Sequence, residues 1–245
     1  MRLIRVTAAV LMLSMPGAAL AQEWTEFASK DDLFTCNFPG TPKVTPTTWT
    51  SEYGASLPGR VYSAEGAIGR YSMTVIDYRD VQKILTEKSK SCPPGAETCR
   101  GGGGATGEGY WKIDLQGALD YATWKFIQRD AKITNFMWNM MDLVGGRQLQ
   151  LTNNADKSVT FAYISMHKNR LYIAEGTVPG NYPPPGLFQQ SMGYVDEEGR
   201  GVRYQSVYSN LYSEWAKDFP AQPRRTGQGG GGAPAAAPQG GAAPK

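Results

Sequence analysis

The chain has 245 residues, 19% of them charged and 41% hydrophobic, with 25 basic against 22 acidic side chains, one histidine and three cysteines. So even a balance excludes the basic stripe that nucleic-acid binding needs. Three cysteines and one histidine without paired close spacing give no zinc-site pattern.

In chain order, residues 1–21 form an export signal. Arg2 and Arg5 precede an apolar run at 8–13, and Pro16-Gly17 leads to the small residues Ala19 and Ala21 before Gln22. The apolar run is well short of the roughly 20 residues that span a bilayer, so no transmembrane segment is expected in the mature chain. Export predicts a periplasmic or secreted location, where disulfides form. Residues 22–219 are predicted to form an α+β domain with an insertion near 88–110. Residues 220–245, rich in Gly, Ala, Pro and Gln, bury too little to offset their ordering entropy and are predicted to be a disordered tail.

Within the domain, Phe34, Cys36 and Phe38 share one face of a strand that Pro39-Gly40-Thr41-Pro42 stops. Residues 60–64 and 70–77 read as a hairpin, the second strand carrying Tyr71, Met73 and Val75 on one face. Val81, Ile84 and Leu85 suggest a short helix. Leu115, Ala118, Leu119, Ala122 and Phe126 recur at helical spacing and predict a helix over 112–131. Alternation then returns at 132–142, 147–153, 158–166 and 170–177. With turns at Gly145-Gly146, 153–157 and Lys168-Asn169, these predict an antiparallel meander. A helical piece at 187–192 and a last strand near 201–208 follow. Strand runs with helices inserted between them predict a mainly antiparallel sheet flanked by helices.

Cys92 and Cys99 enclose a turn-rich loop and are predicted to form a local disulfide, while Cys36, between Phe34 and Phe38, reads as a buried, inert thiol; a bridge from Cys36 to Cys92 or Cys99 is the alternative. Residues 102–107 match G-x-G-x-x-G in letters, but no buried strand precedes them, so they read as a loop and no cofactor is expected. His167 falls in a predicted turn, where a solvated surface role is expected; no Gly-x-Ser-x-Gly turn accompanies it. Residues 196–199 lack the alternating acids of a calcium loop and read as a charged hairpin turn. Among the aromatics, Trp124 and Trp138 are expected in the core. Tyr182, beside Pro183-Pro184-Pro185, is the candidate for exposed partner contact.

Two stretches resemble known exported proteins. Phe34-Thr35-Cys36-Asn37-Phe38-Pro39-Gly40-Thr41-Pro42-Lys43 resembles the opening of exported bacterial proteins of unknown function, and Phe188-Gln189-Gln190-Ser191-Met192 resembles their closing helix. In overall order the chain is similar to the PsbP/Mog1-like α/β/α sandwich. The resemblance implies a binding or assembly module and carries over no functional residue.

The expected function is therefore a non-catalytic binding or assembly module of the cell envelope, contacting another envelope protein or a small ligand. The alternatives are an envelope hydrolase using carboxylates and a structural spacer. An exposed apolar patch would favour the first, and a cleft holding two carboxylates within catalytic reach the hydrolase.

Overall fold

The computed structural model describes residues 23–96, 99 and 108–210. The predicted export signal at 1–21, the glycine run at 102–107, Trp215 and the predicted tail at 220–245 lie outside them. Ten strands and three helices are named here in chain order: β1 Trp24–Ser29, β2 Phe34–Pro39, β3 Lys43–Thr50, β4 Ser56–Glu65, β5 Arg70–Asp77, α1 Val81–Lys90, α2 Trp111–Ile127, β6 Ala131–Met141, β7 Val144–Asn153, β8 Val159–His167, β9 Arg170–Val178, α3 Gly186–Gln190 and β10 Gly193–Tyr194.

Seven strands make one antiparallel sheet in the order β3-β4-β5-β9-β8-β7-β6, and β1-β2-β10 make a smaller one. The central strands are buried on both faces, so alternate side chains feed two cores. Tyr71, Met73, Tyr163, Tyr172 and Ala174 pack with Phe34, Phe38, Phe188 and Tyr194 from the small sheet and its neighbours. Ile76, Leu149, Leu151, Ile164 and Ile173 pack under Val81 and Leu85 of α1 and Ala118, Ala122 and Phe126 of α2. The architecture is thus α+β, with a mainly antiparallel sheet between helices on one side and a small sheet with α3 on the other.

The meander β6-β7-β8-β9 and the β4-β5 hairpin form as their alternation predicts. Four features differ. The β6-β7 turn is not Gly145-Gly146, which lie inside β7, but Asp142-Leu143, at φ 48° and 63°, the two left-handed residues of a tight hairpin turn. The helix expected over 112–131 spans Trp111–Ile127. Residues 201–208 form isolated bridges, Gly201 to Val195 and Tyr208 to Val144, rather than a strand. β1 and β3 are additional: β3 carries Pro46, whose missing N–H an edge strand tolerates.

Candidate binding surface

The two edges of the large sheet are built from different chemistry. β3 holds Lys43 and Pro46, two ordinary guards against unwanted strand pairing. β6 holds neither proline nor charge from Ile133 to Met141, and only its first residues carry a register irregularity, between Ile133 and Asn135. Along it Ile133, Phe136, Met137, Trp138 and Met140 are exposed, Phe136 at 52% and Trp138 at 55%. Trp124 and Ile127 near the end of α2 are exposed too. Seven of the twelve large exposed hydrophobics among the described residues therefore lie on β6 and the last turns of α2.

Register explains how these side chains are presented. Phe136 lies opposite Leu149 and Trp138 opposite Arg147, so both point to the sheet face that carries α1 and α2. Gly145 makes room for the indole: a Cβ there would stand 3.3 Å from Trp138 Nε1. At Gly146 the Tyr163 ring and the Ile164 carbonyl occupy the space a side chain would need. The two glycines serve close packing within the strand, not a turn. Arg147 reaches Asp120 of α2 at 3.0 Å, and between them Trp138, Leu115, Leu119 and Val207 line a cavity of about 240 Å³. Trp138 and Trp124 are thus exposed, against the expectation of core packing. Trp124 stacks on Tyr121, centroids 5.9 Å apart, and Lys125 lies over Tyr121 and Trp49.

A second, polar cavity of about 510 Å³ lies near the other edge, with Lys43, Glu65, Arg70 and Glu175 among its walls. Its two carboxylates sit on β4 and β9 with β5 between them, which places their Cα atoms about 12 Å apart by strand spacing. Both Glu175 oxygens accept from Arg129, at 2.7 and 3.0 Å. Glycoside cleavage needs two carboxyls opposed across one bond, and here one of the pair is engaged by the guanidinium of Arg129, in the connection between α2 and β6.

The sequence-derived candidates are scattered through the fold. Cys92 and Cys99 are bonded to each other just after α1. Tyr182 is 46% exposed in the proline loop and lines none of the cavities found near the two sheet edges. His167 is not in a solvated turn: it ends β8 fully buried, because residues 194–208 fold over it. Tyr194, Tyr204 and Tyr208 surround its ring at centroid distances of 4.5, 5.7 and 4.9 Å, and its Nε2 lies 2.5 Å from the Tyr204 hydroxyl. Burial, with Lys168 and Arg170 nearby, pushes its pKa down to about 3. Cys36 is buried and unpaired, and desolvation raises its thiol to about 12, which makes it inert as a nucleophile at neutral pH.

Cys36 does mark a structural joint. The Ser191 hydroxyl accepts from Asn37 N–H at 2.8 Å and donates to Phe188 O at 3.0 Å, while Phe188 packs edge-on to Phe38 with centroids 5.5 Å apart. The two sequence stretches singled out above for their resemblance, 150 residues apart, thus meet and lock α3 onto β2. The β6 surface itself was missed by sequence reasoning. Its signal was present as an uncharged run on a strand between polar neighbours.

Among the described residues no helix is long and apolar enough to cross a membrane. No protein-family model matches the chain, and no curated protein does. Among solved structures the chain is similar to cyanobacterial PsbP (CyanoP) from Synechocystis sp. PCC 6803, at 9% identity, covering 75% of this chain and 98% of that one with a TM-score of 0.38.

Proposed function

We propose that the chain is an exported, non-catalytic binding or assembly module of the cell envelope, with the β6 edge as its contact surface. The observation that carries this reading is the nine-residue uncharged stretch from Ile133 to Met141, exposed along a sheet edge and presenting five large apolar side chains. An edge strand offers unpaired backbone groups for recognition, and the side chains beside them supply apolar area. The engaged Glu175 and the spread of the carboxylates in the polar cavity favour binding over hydrolysis.

A photo-crosslinking amino acid placed at Phe136, at Val44 on the opposite edge, and at Tyr182 in the proline loop tests the reading in intact envelopes. The expected result is a discrete adduct at 136, none at 44, and loss of the adduct when Trp138→Glu is added. Turnover of envelope polymer by the purified chain, or equal labelling at 136 and 44, would overturn it.

A further inference from the structure

We propose that β6 pairs antiparallel with β6 of a second copy of this chain, about a twofold axis passing through Met137; the proposal rests on the reading of β6 as the contact surface and names its partner.

Backbone geometry sets the pairing. The β6-β7 hairpin closes at Met141 opposite Val144, where the Tyr163 hydroxyl accepts from Met141 N–H at 3.1 Å and donates to Val144 O at 2.6 Å; residues 139 and 137 turn their N–H and C=O groups to β7, and 140, 138 and 136 turn theirs outward. In keeping with this, the Met140 N–H meets Asn139 Oδ1 at 2.8 Å rather than a β7 carbonyl. A twofold axis at Met137 then makes Phe136 and the partner's Trp138 a hydrogen-bonded pair, and Trp138 and the partner's Phe136 another. Four backbone hydrogen bonds result. Directly opposed residues share a sheet face, so each Phe136 ring meets an indole, a favourable cross-strand pair. Met137 faces its own copy on the opposite face, with Asn135 opposite the partner's Asn139 beside it.

Charge is compatible with self-pairing. A twofold brings each side chain near its own kind, and a charged residue in the run would meet its like; Ile133 to Met141 contains none. The other edge excludes the same arrangement through Lys43 and Pro46. Phe136, Met137 and Trp138, the exposed apolar side chains inside the paired stretch, offer on the order of 300 Å² per copy, or about 600 Å² in total, which places the contact among small, weak associations and fits a reversible dimer. The irregularity near Ile133 limits the paired stretch to residues 135–139, the span that a twofold axis at Met137 maps onto itself.

The test uses the chain expressed with its own leader and purified as the cell processes it. Sedimentation across concentration should show a reversible twofold rise in mass. Met137→Lys, which opposes like charges at the axis, should weaken the association at least tenfold, with far-UV circular dichroism and melting unchanged. F136K and W138E should each weaken it, and the F136K/W138E double variant should regain it, because this register places the two positions opposite each other. Met137→Cys should form an interchain disulfide with diamide as oxidant, since self-opposed Cβ atoms in a non-hydrogen-bonded pair lie about 5 Å apart, and Asn135→Cys should not.

A monomer at all concentrations whose position 137 crosslinks a different protein would overturn the second copy as occupant and leave the binding reading standing. A crosslink from 137 to residues 211–219 of the same chain would overturn both, because the edge would then be covered by its own polypeptide. A monomer with no crosslink at 137 would also overturn both.

Discussion

His167 and Asp114 show how burial alone sets the chemistry of a side chain. With its pKa lowered to about 3, His167 stays neutral in the fold while the unfolded chain takes up a proton below about pH 6.5. The unfolded state therefore binds more protons between these values, and stability must fall as pH drops, by about 1.4 kcal/mol per pH unit for this group. Urea unfolding of the wild type and of His167→Gln from pH 7.5 to 4 should show the gap between them shift in the variant's favour as pH falls. A constant gap would contradict the assignment. Asp114 behaves in the opposite sense. It is fully buried in the first turn of α2, accepts from the Ser51 hydroxyl, and has its carboxyl raised by desolvation, with Glu52 adding to the effect. The folded state here holds its proton longer than the unfolded chain, so this group costs stability as pH rises above the ordinary carboxyl range. Asp114→Asn should therefore gain on the wild type in going from pH 4 to pH 7, as read by the same unfolding curves.

At the scale of elements, the joint between α3 and β2 depends on one hydroxyl. Ser191 satisfies the Asn37 N–H on one side and the Phe188 carbonyl on the other, and its removal leaves a part-buried donor without a partner. Ser191→Ala should cost about 1–2 kcal/mol in chemical unfolding, and amide exchange should rise first at Asn37 and along α3. Such joints are only half legible in a sequence. The strand at 34–38 and the helix after the prolines could each be read from their residues, but the bond that unites them spans 154 positions. The β6-β7 turn illustrates the converse. Gly145-Gly146 looks like turn chemistry, yet Asp142 and Leu143 adopt the positive φ values, because the indole of Trp138 and the ring of Tyr163 need the space above the glycines. Cross-strand packing overrode the local preference.

For the whole molecule, the two cores share one sheet and neither contains Cys92. The Cys92–Cys99 bridge closes a loop of sequence separation 7, so its contribution comes from the unfolded chain and amounts to no more than about 2.5 kcal/mol in the loop-entropy picture. The C92S/C99S double variant should melt lower while keeping its circular dichroism spectrum and any association through β6. Loss of the fold on reduction would mean that the bridge supports a core it does not touch. The same scale governs function. A domain that guards one sheet edge with Lys43 and Pro46 and leaves the other apolar differs in kind from one that guards both.

The amino-acid sequence by itself determined the element types wherever a strand or helix was half-buried, since periods of 2 and 3.6 are written directly into such segments; the meander, the β4-β5 hairpin and the helix around Ala118 and Ala122 are of this kind. Tertiary structure decided which apolar residues lie inside. Trp124 and Trp138 carry the same local pattern as core residues, and His167 the pattern of a surface turn. Trp124 and Trp138 are exposed and His167 is buried beneath residues 194–208, because burial depends on what the rest of the chain lays over a side chain, and no local period records that.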